Sequence, residues 1–189
     1  MYDVAIIGAG PAGGSAGVFT AKAGKKTVLF DSGKSITAKA WVENHYGVSE
    51  IEGPNLLENG QQQAKKFGAE IVTEEVEEIE ADGELYTIKT SSQSYHVDHI
   101  IFATGMSTKL AEQFGLEITE GSEPRVAKVI ETDKHGHTKK AKVWAAGTVA
   151  GVSVHTIITA GDGAKVAVNV ISELNGERYV DHDILKSNK

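Results

Sequence analysis

Three glycines near the start of the chain have a spacing that could bind a phosphate group. Gly8, Gly10 and Gly13 follow the apolar run 2–7 and open an Ala- and Gly-rich stretch typical of a helix. In a strand–turn–helix unit, the first glycine permits a tight turn and the second lets the backbone approach a pyrophosphate. The third lets helix and strand pack closely, and the helix N-terminus faces the phosphate charge. The spacing therefore predicts a site for the ADP half of a dinucleotide.

An acidic residue at the end of the next apolar run extends this prediction. Asp31 follows the run 27–30, where its carboxylate can accept hydrogen bonds from the hydroxyls of the adenosine ribose. A 2′-phosphate would meet like charge there, so FAD or NAD fits this site better than NADP. A merely structural glycine turn is the alternative, but the preceding strand, the following helix and the acid all favour nucleotide binding.

The composition predicts one domain over 1–189. The 189 residues are 40% hydrophobic and 24% charged, which is ordinary for a soluble globular protein. A net charge of −7 disfavours nucleic acid or an anionic membrane as the main partner. The chain has no cysteine, which excludes disulfides, thiolate nucleophiles and CxxC pairs within it. Without a long apolar run or a leader-like start, we expect a cytoplasmic protein with no membrane span.

Hydrophobic patterning predicts an α/β fold with a parallel sheet and a small antiparallel meander. Three helices are expected from their proline and glycine boundaries, over 11–23, 54–67 and 153–174. The meander is expected from three β-rich runs, 70–79, 84–90 and 94–103. A second hairpin is expected from 125–132 and 138–145 around the polar turn 133–137. We expect residues 187–189 to be frayed.

Two further patterns have simpler explanations than chemistry. Ser15 lies in a G-x-S-x-G pattern but inside the first helix, whereas a hydrolase nucleophile needs a strand-to-helix elbow. His135 and His137 beside Asp133 are typical of a polar turn, and no further metal ligands accompany them. We therefore predict no catalytic residue and no metal ligand.

Seven short segments, in order and spacing, resemble the flavin domain of the low-molecular-weight thioredoxin reductases. Their order and spacing make the resemblance specific, although each segment alone is modest. It implies a three-layer FAD/NAD(P)-binding Rossmann-like fold and FAD as the cofactor. The segments are 8–13, 42–44, 53–56, 67–70, 102–105, 145–147 and 159–164.

The chain departs from that family immediately after the Ala-Thr-Gly strand at 103–105. The family inserts there an NADPH-binding domain with a second glycine fingerprint and the redox-active CxxC. Here the short stretch 106–124 leads into the last predicted hairpin, so the insert is absent after about residue 105. Since the chain has no cysteine, thioredoxin reduction by the family's dithiol mechanism is excluded.

The resemblance also implies positions around the cofactor. Asn44 would lie near the flavin, Val76 near the adenine through its backbone, and the helix opening at His155 and Thr156 near the pyrimidine edge of the isoalloxazine. N-H groups and the dipole at such a helix N-terminus would stabilise negative charge on a reduced flavin. The cofactor-binding residues predicted from motif and resemblance are Gly8, Gly10, Pro11, Ala12, Gly13, Asp31, Ser32, Asn44, Val76, Ala103, Thr104, Gly105, Gly147, Thr148, His155 and Thr156.

Two of these positions differ from the family. An Asp that holds the ribityl hydroxyls is replaced by Thr148, which offers a hydroxyl but no charge-assisted acceptor. We expect this change to lower FAD affinity by about tenfold. His155 stands where Gln is usual. A protonated His155 would raise the flavin reduction potential, whereas a neutral one would only replace the hydrogen-bonding group of Gln with another. The remaining interpretation is a solvent-facing or helix-capping histidine.

These observations predict an FAD-binding oxidoreductase or electron-transfer component. Its electrons would come from NAD(P)H or a redox partner protein, and a homodimer would cover the open face of the flavin. The alternative is a non-catalytic dinucleotide-binding module in which FAD is a structural or sensory ligand. A third hypothesis is one component of a split enzyme, whose nicotinamide domain is another chain.

Overall fold

The computed structural model describes residues 1–185 of the chain, which form four α-helices and eleven strands. The expectation for 187–189 lies outside these residues. Two 3-10 helices cover Ile36–Lys39 and Gly147–Ala150. The α-helices are α1 (Pro11–Lys22), α2 (Gly53–Lys66), α3 (Lys109–Gln113) and α4 (Thr156–Asn175). The strands are β1 (Tyr2–Ile7), β2 (Thr27–Phe30), β3 (Trp41–Val42), β4 (Ile51–Glu52), β5 (Glu70–Val72), β6 (Glu78–Asp82), β7 (Leu85–Lys89), β8 (Ser94–Phe102), β9 (Ile118–Glu120), β10 (Lys128–Ile130) and β11 (Val143–Ala145).

The long strand β8 joins two kinds of sheet. Parallel strands run in the order β5-β2-β1-β8, and β11 continues this sheet beside the C-terminal half of β8. The N-terminal half of β8 pairs with β7 instead, and β7 pairs with β6, so these three strands form an antiparallel meander. The fold is therefore α/β, with a parallel sheet and a small antiparallel meander, which confirms the predicted class.

The strand β1 shows why the sheet needs cover on both faces. Val4 and Ile6 join one apolar cluster with residues of α1 and α4. Ala5 and Ile7 join a second cluster with residues of the meander and α3. Because successive strand residues point to opposite faces, a run buried on both sides must be apolar throughout. The parallel sheet is thus the middle of three layers.

Two predicted β elements differ from the structure. The run 70–79 is divided, since β5 pairs parallel with β2 while β6 belongs to the meander. The predicted second hairpin is wrong. Its first arm, β10, pairs with β9, and its second arm, β11, pairs parallel with β8. Residues of β11 are entirely apolar and buried, so the central sheet takes them.

The three predicted long helices form within a few residues of the expected bounds. The stretch 106–124 is more structured than predicted, since it contains α3 and β9. Among residues 1–185, no helix combines the length and apolar character needed to cross a membrane.

Candidate cofactor site

The carboxyl ends of the parallel strands face a cavity of about 810 Å³. This is the edge at which open α/β sheets bind ligands, and the volume lies within the usual range of about 300–1,000 Å³ for small-molecule sites. Eleven of the sixteen predicted residues line it: Gly8, Gly10, Pro11, Ala12, Asp31, Ser32, Val76, Ala103, Thr104, Gly105 and Thr148.

The glycine turn between β1 and α1 leaves no room for side chains at two positions. Gly8 has a φ of +107°, and a Cβ atom on it would lie 2.3 Å from the carbonyl oxygen of Ala103. A Cβ atom on Gly13 would lie 1.8 Å from the carbonyl oxygen of Gly8. Gly10 differs, because a Cβ atom there would meet only the side chain of Ser35, at 3.2 Å. At Gly8 and Gly10, backbone atoms therefore line the cavity with no side chain over them, and we call this part the cavity floor.

The N-terminus of α1 opens onto this floor. Pro11 starts the helix, no acidic side chain lies in its first turn, and Gly10 supplies no side-chain cap. The backbone N-H of Gly14 donates a hydrogen bond to the carbonyl oxygen of Gly10 at 2.7 Å. The N-H groups of Ala12 and Gly13 come before this first helical hydrogen bond and have no partner within the helix. Free N-H groups and the helix dipole together favour an anion such as a pyrophosphate.

Asp31 is held in one orientation by hydrogen bonds to both carboxylate oxygens. The backbone N-H of Gly33 donates to Oδ1 at 2.9 Å, and Nε2 of Gln61 on α2 donates to Oδ2 at 2.7 Å. Each carboxylate oxygen can accept a second hydrogen bond, so capacity remains for a ribose hydroxyl. Sequence analysis missed Gln61, because no local pattern links α2 to the end of β2.

Glutamates give the Asp31 end of the cavity a negative rim. Lys34 lies 2.6 Å from Glu75, and its hydrogen bond and charge lower the pKa of that carboxyl. Hydrogen bonds from Thr90 and Ser92 lower the pKa of Glu74. Both glutamates are thus ionised at neutral pH. They line the cavity from the segment between β5 and β6.

The opposite end of the cavity is less polar. Thr148 lies in the 3-10 helix Gly147–Ala150 and is only 6% exposed. The hydroxyl of Thr104 donates to the carbonyl oxygen of Ser107 at 2.7 Å, so its proton is already used. Met106 and Val154 add apolar surface and are partly exposed at the mouth. An apolar wall with a few hydroxyls suits a flat aromatic ring.

Five predicted residues do not line this cavity. Gly13 and Gly147 are packed behind it, and Asn44 is exposed. His155 precedes α4, with its ring nitrogen Nδ1 at 2.8 Å from the hydroxyl of Ser153. Thr156 shares a hydrogen bond of 3.0 Å with the ring of His45.

His45 belongs to a second cavity of about 810 Å³. This cavity lies between α1, α2 and the 45–51 segment, and it shares Ala9, Gly10 and Pro11 with the first. The region around Asn44 is therefore adjacent to the glycine turn, although the side chain of Asn44 does not enter the main cavity.

Two segments supply lining residues that sequence analysis missed. Residues 34–37 follow β2, and several residues within 106–113, around α3, follow β8. Their position directly after buried parallel strands was the signal available, since such loops form the rim of this edge of the sheet.

The fold and cavity define a Rossmann-like dinucleotide-binding class, and comparison with known proteins identifies the family. Residues 52–164 match the family model described as pyridine nucleotide-disulphide oxidoreductase. The match covers more than half of the chain, so this chain belongs to the pyridine nucleotide-disulphide oxidoreductase family.

Curated relatives confirm the resemblance to thioredoxin reductases. The chain is 38% identical over 115 residues to a thioredoxin reductase of Peptoclostridium acidaminophilum, covering 59% of this chain and 36% of that protein. It is 36% identical over 124 residues to one of Listeria monocytogenes, covering 64% of this chain and 39% of that protein. The aligned part of the chain thus spans little more than a third of the length of these relatives.

Solved structures share the fold. A thioredoxin reductase from Gloeobacter violaceus superposes with a TM-score of 0.79 at 17% identity, covering 97% of this chain and 99% of that chain. The atypical thioredoxin reductase TRi from Desulfovibrio vulgaris Hildenborough gives 0.77 at 20% identity, covering 94% of this chain and 99% of that chain.

Proposed function

We propose that this chain binds FAD and acts as a flavoprotein oxidoreductase or electron-transfer component. The observation that carries the proposal is the cavity itself. One end combines the glycine turn, the N-terminus of α1 and the fixed carboxylate of Asp31, and the other end is largely apolar. We further infer that residues 1–189 form a single FAD-binding domain.

The residues of this chain fit the parts of FAD. The N-H of Ala12 at the N-terminus of α1 would hold the pyrophosphate, and Asp31 would accept hydrogen bonds from the adenosine ribose. Thr148 would offer its hydroxyl to the ribityl chain. When bound, FAD supplies exchange of one or two electrons, and the protein contributes binding, orientation and exclusion of water.

The electrons would enter from free NAD(P)H or from a redox partner protein. No cysteine in the chain can form the dithiol of a thioredoxin reductase. A separate chain that carries a nicotinamide-binding domain is a further candidate donor. We also propose a homodimer, because large apolar side chains are exposed at Trp41, Tyr46, Ile157 and Ile158.

Anaerobic titration of the FAD-loaded protein with NADH and NADPH tests the electron-transfer proposal. Rapid bleaching of the flavin absorption by either nucleotide supports a reductase half-reaction. If only dithionite bleaches the flavin, free NAD(P)H is not the donor. A pull-down with the FAD-loaded protein as bait then looks for a redox partner or a nicotinamide-domain chain.

A second candidate function is a dinucleotide-binding module without turnover. Thr148 in place of the expected carboxylate and the lack of cysteine both favour it. Reduction by dithionite alone, with no partner protein recovered, would support this module.

A further inference from the structure

Asp162 is a buried carboxylate that the proposed function does not yet use. It lies on α4 and is 8% exposed. Its Oδ2 accepts a hydrogen bond from the backbone N-H of Gly147 at 2.8 Å, and its Oδ1 lies 2.5 Å from Nζ of Lys165. A buried charge persists where it is paired and hydrogen-bonded, and here each oxygen has one partner.

The N-H that donates to Asp162 belongs to Gly147, which is the first residue of the 3-10 helix that contains Thr148. Gly147 has a φ of +80°, and a Cβ atom on it would lie 2.7 Å from Cβ of Ala12. The 3-10 helix that starts at Gly147 places Thr148 against the cavity. A small movement of Gly147 would therefore move Thr148 relative to the helix α1.

The helix α4 is closely packed against α1 at this point. A Cβ atom on Gly163 would lie 2.0 Å from the carbonyl oxygen of Ala12, so the two backbones touch. Asp162 is next to Gly163 along α4, and Ala12 belongs to the first turn of α1. This contact between the helices thus fixes the position of Thr148 relative to the proposed pyrophosphate site.

We propose that Asp162 is a positioning residue of the cofactor site, which orients Thr148 toward the ribityl chain of FAD through the N-H of Gly147. This inference rests on the proposed FAD function. The side chain of Thr148 carries a single hydroxyl, so its hydrogen bond to a ligand depends on where the 3-10 helix places it. The carboxylate of Asp162 stands behind the turn and supplies that placement.

Titration of apo-protein with FAD, followed by flavin fluorescence, measures the effect. We expect Asp162→Ala to raise the Kd of FAD about tenfold, because Gly147 loses its acceptor. Asp162→Asn keeps an oxygen that can accept from Gly147 and should stay within about threefold of wild type. Lys165→Met separates the two partners of Asp162, because it removes the half-exposed ion pair and leaves the hydrogen bond to Gly147, and we expect a change in Kd below about twofold.

A double-mutant cycle separates positioning from a general loss of stability. Thr148→Val should weaken FAD binding about tenfold in the wild-type background, as Asp162→Ala does, and should have no further effect in Asp162→Ala. Visible circular dichroism at saturating FAD should change in Asp162→Ala and be restored in Asp162→Asn. Additive losses, about a hundredfold in the double variant, would overturn the proposal.

The outcomes distinguish this inference from the function on which it rests. If wild type binds FAD and Asp162→Ala binds it equally well, the inference fails and the proposed function stands. If wild type does not bind FAD, both fail. Should Asp162→Ala not fold, Asp162→Asn decides, because a tenfold loss there would contradict positioning through the hydrogen bond to Gly147.

Discussion

At Gly13, the contact between helix and turn admits no side chain. A Cβ atom would lie 1.8 Å from a backbone oxygen, which cannot move without opening the glycine turn. We expect Gly13→Ala to lower the free energy of unfolding by about 3 kcal/mol and to abolish FAD binding. Urea denaturation and FAD titration measure the two effects.

Gly14 offers a matched control for this substitution. Its nearest neighbour would be the carbonyl oxygen of Ala9 at 3.9 Å, an ordinary contact. Since alanine is favoured over glycine inside helices by about 0.5–1 kcal/mol, Gly14→Ala should be as stable as wild type or slightly more stable. Equal stability of the two variants would contradict the close packing inferred for Gly13.

Gln61 allows a second test, of how Asp31 is oriented. Loss of its hydrogen bond to Oδ2 leaves the carboxylate held by Gly33 alone. We expect Gln61→Ala to raise the Kd of FAD about fivefold, measured by isothermal titration calorimetry. Gln62→Ala, one position along α2 and exposed, should bind FAD as wild type does. Indistinguishable Kd values for the two variants would refute this role.

Residues of the site differ in how far the sequence could predict them. Gly8 and Asp31 stand at fixed places in a local strand–turn–helix pattern, so the pattern found them. Gln61 and Lys34 act through contacts with residues distant in the chain, and no spacing rule connects such partners. The sequence pattern predicted the residues that act within one local motif, whereas the residues that orient them could be identified only from the fold.

Among the elements, β1 and β5 are linked at one end of the sheet by a side-chain hydrogen bond. The hydroxyl of Tyr2 donates to the carboxylate of Glu70 at 2.5 Å. This hydrogen bond, burial and the charge of Glu70 raise the pKa of Tyr2 to about 12. The protonated phenol is therefore favoured in the folded state.

The link predicts a loss of stability at alkaline pH. Because the pKa of Tyr2 is raised from 10.0 to about 12 in the folded state, its hydrogen bond to Glu70 stabilises the fold. This stabilisation is complete below pH 10.0 and is lost as the pH rises to about 12. We expect the stability difference between wild type and Tyr2→Phe to shrink across that interval in urea denaturation. The other tyrosines titrate in both proteins, so their contributions to the stability difference cancel. A difference that stays constant throughout would refute the link.

Elements were predicted more reliably than their pairing. Helix bounds followed from proline and glycine signals that act locally. The pairing of β10 and β11 did not, because an apolar run specifies a strand and leaves its partner open. The place of β11 at the end of the parallel sheet depends on β8, which pairs with β7 along its N-terminal half and with β11 along its C-terminal half.

For the whole molecule, the exposed apolar side chains predict self-association. Sedimentation should give a mass near twice the chain mass of 20.1 kDa. Tyr46 and Ile158 are 93% and 44% exposed, so Tyr46→Asp combined with Ile158→Asp should give monomers. A monomeric wild type would rule out the homodimer.

Binding of FAD in the main cavity is the proposal on which the others depend, and the visible absorption spectrum of the purified protein tests it. After incubation with FAD and removal of the excess, we expect a flavin spectrum and release of FAD on heat denaturation. A protein that stays colourless after the same treatment would contradict FAD binding at this site.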